Sequence, residues 1–290
     1  MVLVQKELKN AYIWSNPVKR ATIRVNGVEK QIRPSAQPAL CFTADQANST
    51  VELHKYGTPA EVTLEISTDG NTWSDYTFDT TINLTNVWDK IYMRNKSETA
   101  TSFSTSTNNR YQFDISWQVR CSWDVTYLLC KNGTDTLLGK YCFTYLFFQC
   151  SWLITAPSLP ATTLTSHCYD YMFYGCTNLT TAPSLPATTL ATYCYNQMFY
   201  GCENLTTLPQ LPATTLPNQC YYQMFYLCSK IKLSAYQDSD YTQAYRIPTE
   251  WTWTEWTYSM YRMFNGTWWT WSSTPQINTT YYLHKDNTIV

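Results

Sequence analysis

Residues 155–180 read TAPSLPATTLTSHCYDYMFYGCTNLT and residues 181–206 read TAPSLPATTLATYCYNQMFYGCENLT, agreeing at 20 of 26 positions without a gap. Residues 207–232, TLPQLPATTLPNQCYYQMFYLCSKIK, keep the register more loosely. A degenerate copy, CFTYLFFQC, precedes them at 142–150, and MYRMFNG at 260–266 reads as a worn last copy. A fixed period of this length marks a repeat architecture: one unit cannot bury its own apolar stripe, but stacked copies can.

Each unit divides in two. Leu179, Ala182 and Leu185 fit a short extended edge, and Pro183 and Pro186 rule out a long ladder strand. Thr188–Phe199 predicts a short helix, with Thr188 and Thr189 as its cap, Cys194, Met198 and Phe199 on one stripe, and Gly201 as its stop. The expected interior is Cys168/194/220, Met172/198/224, Phe173/199/225, Cys176/202/228 and the leucines of LPATTL.

The 11 cysteines follow the repeat, in two series spaced by 26: Cys142, 168, 194, 220 and Cys150, 176, 202, 228. An odd number cannot all pair, and a regularly placed small apolar residue suits a stacked interior, so buried thiols are favoured over disulfides. There is no CxxC, and His54, His167 and His284 share no ligand spacing with the cysteines, so no metal and no cofactor are expected.

Upstream the period changes to two. Val51–His54, Val62–Ile66 and Ile91–Arg94 alternate like half-buried strands, and Asp69-Gly70-Asn71 reads as a hairpin turn. Another hairpin is signalled by Thr22–Val25, Asn26-Gly27 and Val28–Ile32. The reading is a multi-domain α+β chain. A basic hairpin module occupies 1–35 and a small sandwich-like all-β domain 36–120. A short leucine-rich-repeat solenoid of 26-residue repeats follows over 121–245, and a degenerate repeat with a Trp-rich cap over 246–290.

Charged residues make up only 14% and the net charge is −1, which disfavours nucleic-acid binding. Residues 1–35 are the exception: Lys6, Lys9, Lys19, Arg20, Arg24, Lys30 and Arg33 stand against Glu7 and Glu29, a balance of +5. This arm reads either as an attachment surface for an acidic partner or as a solvated tail. The first residues lack a signal peptide's apolar stretch, and no run is long enough to span a bilayer. Nothing recommends an enzyme. The chain has 8 Gly and no phosphate loop, and residues 155–228 hold only Asp170 and Glu203, at non-equivalent repeat positions that read as solvated charges. His167 stands where the next copy has Tyr193, a tolerated surface position; Asp69, Asp75 and Asp79 suggest calcium, but turn chemistry explains Asp69 and the spacing fits no calcium loop.

The pattern Met-Phe-Tyr-Gly-Cys-x-Asn-Leu-Thr followed by Leu-Pro-Ala-Thr-Thr-Leu resembles the BspA-like leucine-rich repeats of gut Bacteroidales and their bacteriophages, over roughly residues 120–232. The STDGNTW and DKIYMRN segments resemble the domain that commonly precedes such repeats, and the opening KELKNAYIW resembles the start of phage virion proteins. The resemblance implies surface display without catalysis. The expected role is a structural, fibre, decoration or receptor-binding component of a phage virion, with a bacterial cell-surface adhesin as the alternative and a glycan-active enzyme as a distant third. The expected location is the virion. The N-terminal module would bind other virion proteins, the repeats would face host glycan or protein, and a homo-oligomer such as a trimer would suit a fibre. Tyr174, Tyr200 and Tyr226 in the repeats, and Trp251, Trp253, Trp256, Trp268, Trp269 and Trp271 beyond them, are the candidate binding aromatics. Scaffold packing competes as a reading for the tyrosines, and an end cap competes for the tryptophans.

Overall fold

A computed structural model describes residues 21–25, 28–32, 39–99, 102–133, 138–247, 258–267, 274–276 and 279–290. The chain divides into two compact units, 1–37 and 38–290. In the first, β1 (Ala21–Val25) and β2 (Val28–Ile32) pair antiparallel, Val25 opposite Val28, as the Asn26-Gly27 turn signal predicts.

The second unit opens with two sheets. In chain order the strands are β3 (Leu40–Ala44), β4 (Ser49–Tyr56), β5 (Leu64–Ser67), β6 (Ser74–Asp75), β7 (Ile82–Leu84), β8 (Lys90–Asn95), β9 (Arg110–Ser116), β10 (Val119–Ser122) and β11 (Leu153–Thr155). One sheet runs β11-β10-β3-β8-β5-β6 and the other β7-β4-β9. They share a core, in which Phe42 of β3 meets Phe113 of β9 edge to face at 4.8 Å. The β5–β6 turn is the predicted one. The Asp69 carboxylate accepts the N–H groups of Asn71 and Thr72 at 2.8 and 2.7 Å, bonds that hold it well below the usual carboxylate range.

The repeats depart from expectation. Among the described residues the regular elements are sixteen strands and one short 3-10 helix, Val125–Leu128, so the chain is mostly strand and sheet with almost no helix. The helix expected over Thr188–Phe199 is absent, and the helical part of the α+β expectation is corrected accordingly. In its place runs a ribbon of overlapping turns. Within it Cys194, Asn196, Met198, Tyr200 and Cys202 each donate their N–H three residues back, to Ala191, Tyr193, Tyr195, Gln197 and Phe199. The alternate residues Tyr193, Tyr195, Gln197, Phe199 and Gly201 donate to the next unit instead, to the carbonyls of Asn218, Cys220, Tyr222, Met224 and Tyr226 at 2.7–3.1 Å. Both sets of donors are thereby satisfied, which a buried backbone requires.

Every fourth residue of the ribbon has positive φ: Tyr193 (61°), Gln197 (49°) and Gly201 (71°), with His167, Tyr171 and Gly175 in the unit before. Left-handed backbone cannot continue an α-helix. Gly201 serves this third left-handed position, the same conformational demand that a helix stop makes. The four-residue period still sends Cys194, Tyr195, Met198, Phe199 and Cys202 inward, all at most 1% exposed. Over nine residues that spacing is hard to tell from a period of 3.6, which is why a helix was expected.

The inward rings form columns. Phe113, Phe147, Phe173, Phe199, Phe225 and Phe264 stack with successive centroids 5.0–5.6 Å apart. Phe103, Phe143, Tyr169, Tyr195 and Tyr221 form a second column at 5.8–6.1 Å. Both begin in the β region, and the Phe113 N–H donates to the Leu146 carbonyl at 2.7 Å. The division expected at residue 120 therefore falls inside a shared core, and β10, which covers it, is paired with β3 and β11.

All the predicted interior cysteines, methionines and phenylalanines are buried, and none of the 11 cysteines is in a disulfide. The thiols do more than fill space. Cys150, Cys176, Cys202 and Cys228 each donate through Sγ to the phenylalanine carbonyl of the layer before, Phe113, Phe147, Phe173 and Phe199, at 3.0–3.2 Å.

The far end is closed by returning chain. β12 (Thr207–Leu208) pairs in parallel with β16 (Thr288–Ile289), and β13 (Leu233–Ser234) and β14 (Tyr241–Arg246) flank β15 (Thr280–His284). The worn copy around 260–266 takes the last place on the ribbon: the N–H groups of Tyr221, Gln223, Phe225 and Leu227 donate to Ser259, Tyr261, Met263 and Asn265.

Candidate functional site

The outer face of the ribbon carries the aromatic residues predicted for binding. Tyr174, Tyr200 and Tyr226 line up in one ladder under Phe148, with ring centroids 5.0, 4.5 and 4.6 Å apart. Their planes lie within 22° of parallel, so the rings spend their faces on one another. What this half-buried ladder offers outward is edges and hydroxyls rather than open faces for a sugar ring. A parallel ladder stacks Tyr141, His167 and Tyr193 at 4.5 and 4.6 Å, and Tyr145 with Tyr171 at 4.7 Å lies between. Arg110 of β9 sits 4.8 Å over Tyr145 and 4.5 Å over Tyr56, linking the ladders to the β sheets.

Asp170, expected to be a solvated charge, and His167, expected to be a tolerated surface position, behave otherwise. Asp170 is buried: its Oδ2 meets His167 Nδ1 at 2.8 Å and its Oδ1 accepts Asn196 Nδ2 at 2.7 Å. Burial pushes its carboxyl up from the usual value, against the opposing pull of the His167 and Asn196 hydrogen bonds. His167 is a half-buried partner within a ring ladder, not a tolerated surface position. The folded chain therefore holds the Asp170 proton more tightly than the unfolded chain does. The stability this contributes is present at low pH and is lost as pH rises through the raised value. Asp170→Asn keeps the acceptor for Asn196 and removes the buried charge, so at pH 7 it is expected to be at least as stable as the parent chain despite losing the carboxylate that meets His167. Any advantage should shrink toward pH 3.5. Urea unfolding of both proteins at the two pH values checks this, and a D170N chain weaker by more than about 1 kcal/mol at pH 7 contradicts it.

Trp117 and Trp152 are aromatic residues that sequence reasoning passed over. They sit at the end of the larger sheet with ring centroids 5.8 Å apart, 52% and 38% exposed. Trp88, 65% exposed, belongs to the same sheet end, its N–H donating to Ala44. Trp88 and Trp117 have φ of 72° and 58°, a backbone state that bulky side chains occupy at a cost of about 1–3 kcal/mol. Trp88 and Trp117 thus combine exposure with backbone strain, and with Trp152 they form an exposed aromatic patch. Nothing in the residues around Trp117 and Trp152 signals it, because β10 and β11, which bring them together, are distant in the chain.

Most of the remaining predicted residues contribute no geometry. Trp251, Trp253, Trp256, Trp268, Trp269 and Trp271 lie outside the described residues, as do Lys6, Lys9, Lys19, Arg20 and Arg33. Arg24 and Lys30 fall on β1 and β2, opposite Glu29 and Ile23 respectively. On β4, His54 is not isolated: its Nδ1 lies 3.0 Å from Asp79 Oδ1 and 3.5 Å from Glu52 Oε1. Among the described residues no helix is long and apolar enough to cross a membrane. In comparisons with known proteins, the chain matches no family model, no curated protein and no solved structure.

Proposed function

We propose that the chain is a non-catalytic display protein, a structural component of a bacteriophage virion, and that its stacked units form a short solenoid of the leucine-rich-repeat kind. The observation that carries the reading is the ring column from Phe113 to Phe264, which runs unbroken from the β sheets through every unit. Close-packed interiors resist deformation, so this column makes the interior stiff. A stiff interior holds the outer ring ladders in fixed register, which is what display needs. The basic N-terminal residues Lys6 to Arg33 would serve as an anchor on other virion proteins. The edge-presenting tyrosine ladder and the Trp88, Trp117 and Trp152 patch would meet host glycan or protein, with aromatic rings supplying contact area at small entropic cost.

Mass spectrometry of density-purified particles from a phage lysate encoding the chain tests this directly. The chain is expected in the particles in fixed ratio to the major capsid protein. Its presence only in the particle-free supernatant overturns the reading.

A further inference from the structure

We infer that Glu52, His54 and Asp79 form a surface binding site for a divalent transition metal ion, zinc in the first instance. The argument starts from the strand. Glu52 and His54 are two residues apart on β4, so both side chains stand on one face of the three-stranded sheet. Asp79 joins them from the chain between β6 and β7. It is anchored there by donating its N–H to the Leu53 carbonyl at 3.1 Å, and it turns at a φ of 59°. The three ligand atoms, one from each side chain, lie within 4.8 Å of one another.

The two distances to the imidazole fit the ion. Zinc held by nitrogen and oxygen ligands at about 2.0–2.1 Å in a tetrahedron places ligand atoms roughly 3.3 Å apart. His54 Nδ1 lies 3.0 Å from Asp79 Oδ1 and 3.5 Å from Glu52 Oε1. Both carboxylates are already oriented by a second set of contacts: Glu52 Oε2 accepts the Thr81 hydroxyl, and Asp79 Oδ1 accepts the Lys55 N–H at 3.3 Å. Such outer contacts are what hold ligands in register at metal sites. Asp114 stands opposite Glu52 on β9 and adds negative charge to the same face. Lys55, the nearest cation in sequence, pairs instead with Glu61 at 2.6 Å. One imidazole with two carboxylates suits zinc, cobalt or manganese, whereas calcium and magnesium take oxygen ligands throughout. Three protein ligands leave a fourth position for water or for a donor from a bound partner.

The site is independent of the display reading, and its test is made on the full-length, tag-free chain. Calorimetric titration with zinc chloride is expected to show one equivalent bound. Cobalt(II) is expected to give weak visible bands without the intense near-ultraviolet absorption of a thiolate ligand. His54→Ala and Asp79→Asn should each weaken binding by about tenfold or more, with the metal-free melting temperature of the Asp79→Asn protein little changed, since asparagine tolerates left-handed backbone. Absence of binding, binding indifferent to both substitutions, or a thiolate absorption band showing that cysteines take the metal would each overturn the inference.

Discussion

Excising residues 155–180 is expected to give a shorter protein that still unfolds in one cooperative step, whereas deleting the single residue Asn196 is expected to abolish cooperative folding. The 26-residue excision removes one whole layer. Thr181 then stands where Thr155 donates its hydroxyl to the Cys121 carbonyl, and Ser184 where Ser158 donates its N–H to Trp123. Cys202 replaces Cys176 beneath the Phe147 carbonyl, and Asn204 replaces Asn178, whose side chain bonds Ser151. Phe147 would meet Phe199 as it now meets Phe173. With less surface to expose, the shortened chain should show a smaller urea dependence of unfolding.

Deleting Asn196 costs far more, although it removes one polar residue. In the ribbon, N–H groups alternate between partners in the same unit and partners in the next. Losing one residue swaps the two roles for everything up to Cys202. It also moves Met198, Phe199 and Cys202 out of their columns and places left-handed φ on the wrong side chains. The loss is expected to exceed about 5 kcal/mol, the lower end of ordinary domain stability. Thermal melts and urea unfolding monitored by tyrosine and tryptophan fluorescence read both outcomes. A sharp, near-wild-type transition in the Asn196 deletion would show that the alternation does not govern folding.

Phe199→Ala is the second large effect, expected to lower unfolding free energy by about 3–5 kcal/mol. Phe199 is fully buried, with Phe173 at 5.6 Å on one side and Phe225 at 5.5 Å on the other, both within 6° of parallel. The ribbon above and below is fixed by inter-unit hydrogen bonds, so it has little freedom to collapse into the vacated space. Tyr200→Ala, one residue along but on the half-buried outer ladder, is expected to cost clearly less. Chemical denaturation of the two variants decides between them. Equal losses would mean that the outer ladder, not the dry column, holds the layers together.

The sequence alone determined the period, the number of layers and the inward cysteines, methionines and phenylalanines, though not the inward Tyr169, Tyr195 and Tyr221, nor that Leu190 and Leu216 stay half-buried. Each follows from which residue recurs every 26 places, and burial of an apolar side chain is legible from its type. It also determined the β1–β2 pairing and the β5–β6 turn, where Asp69 acts on its own neighbours. Only the tertiary structure decided the backbone path of the repeats. A helix and a turn ribbon bury nearly the same residues over nine positions, and they differ in where alternate N–H groups find acceptors. In this protein those acceptors lie 25 residues ahead, as from Phe199 to Met224. The same non-locality hid the Asp170 contact with Asn196, the thiol bonds to phenylalanine carbonyls and the pairing of Trp117 with Trp152. Each joins residues that only stacking or sheet register brings within reach, and no local pattern of residue types carries that information.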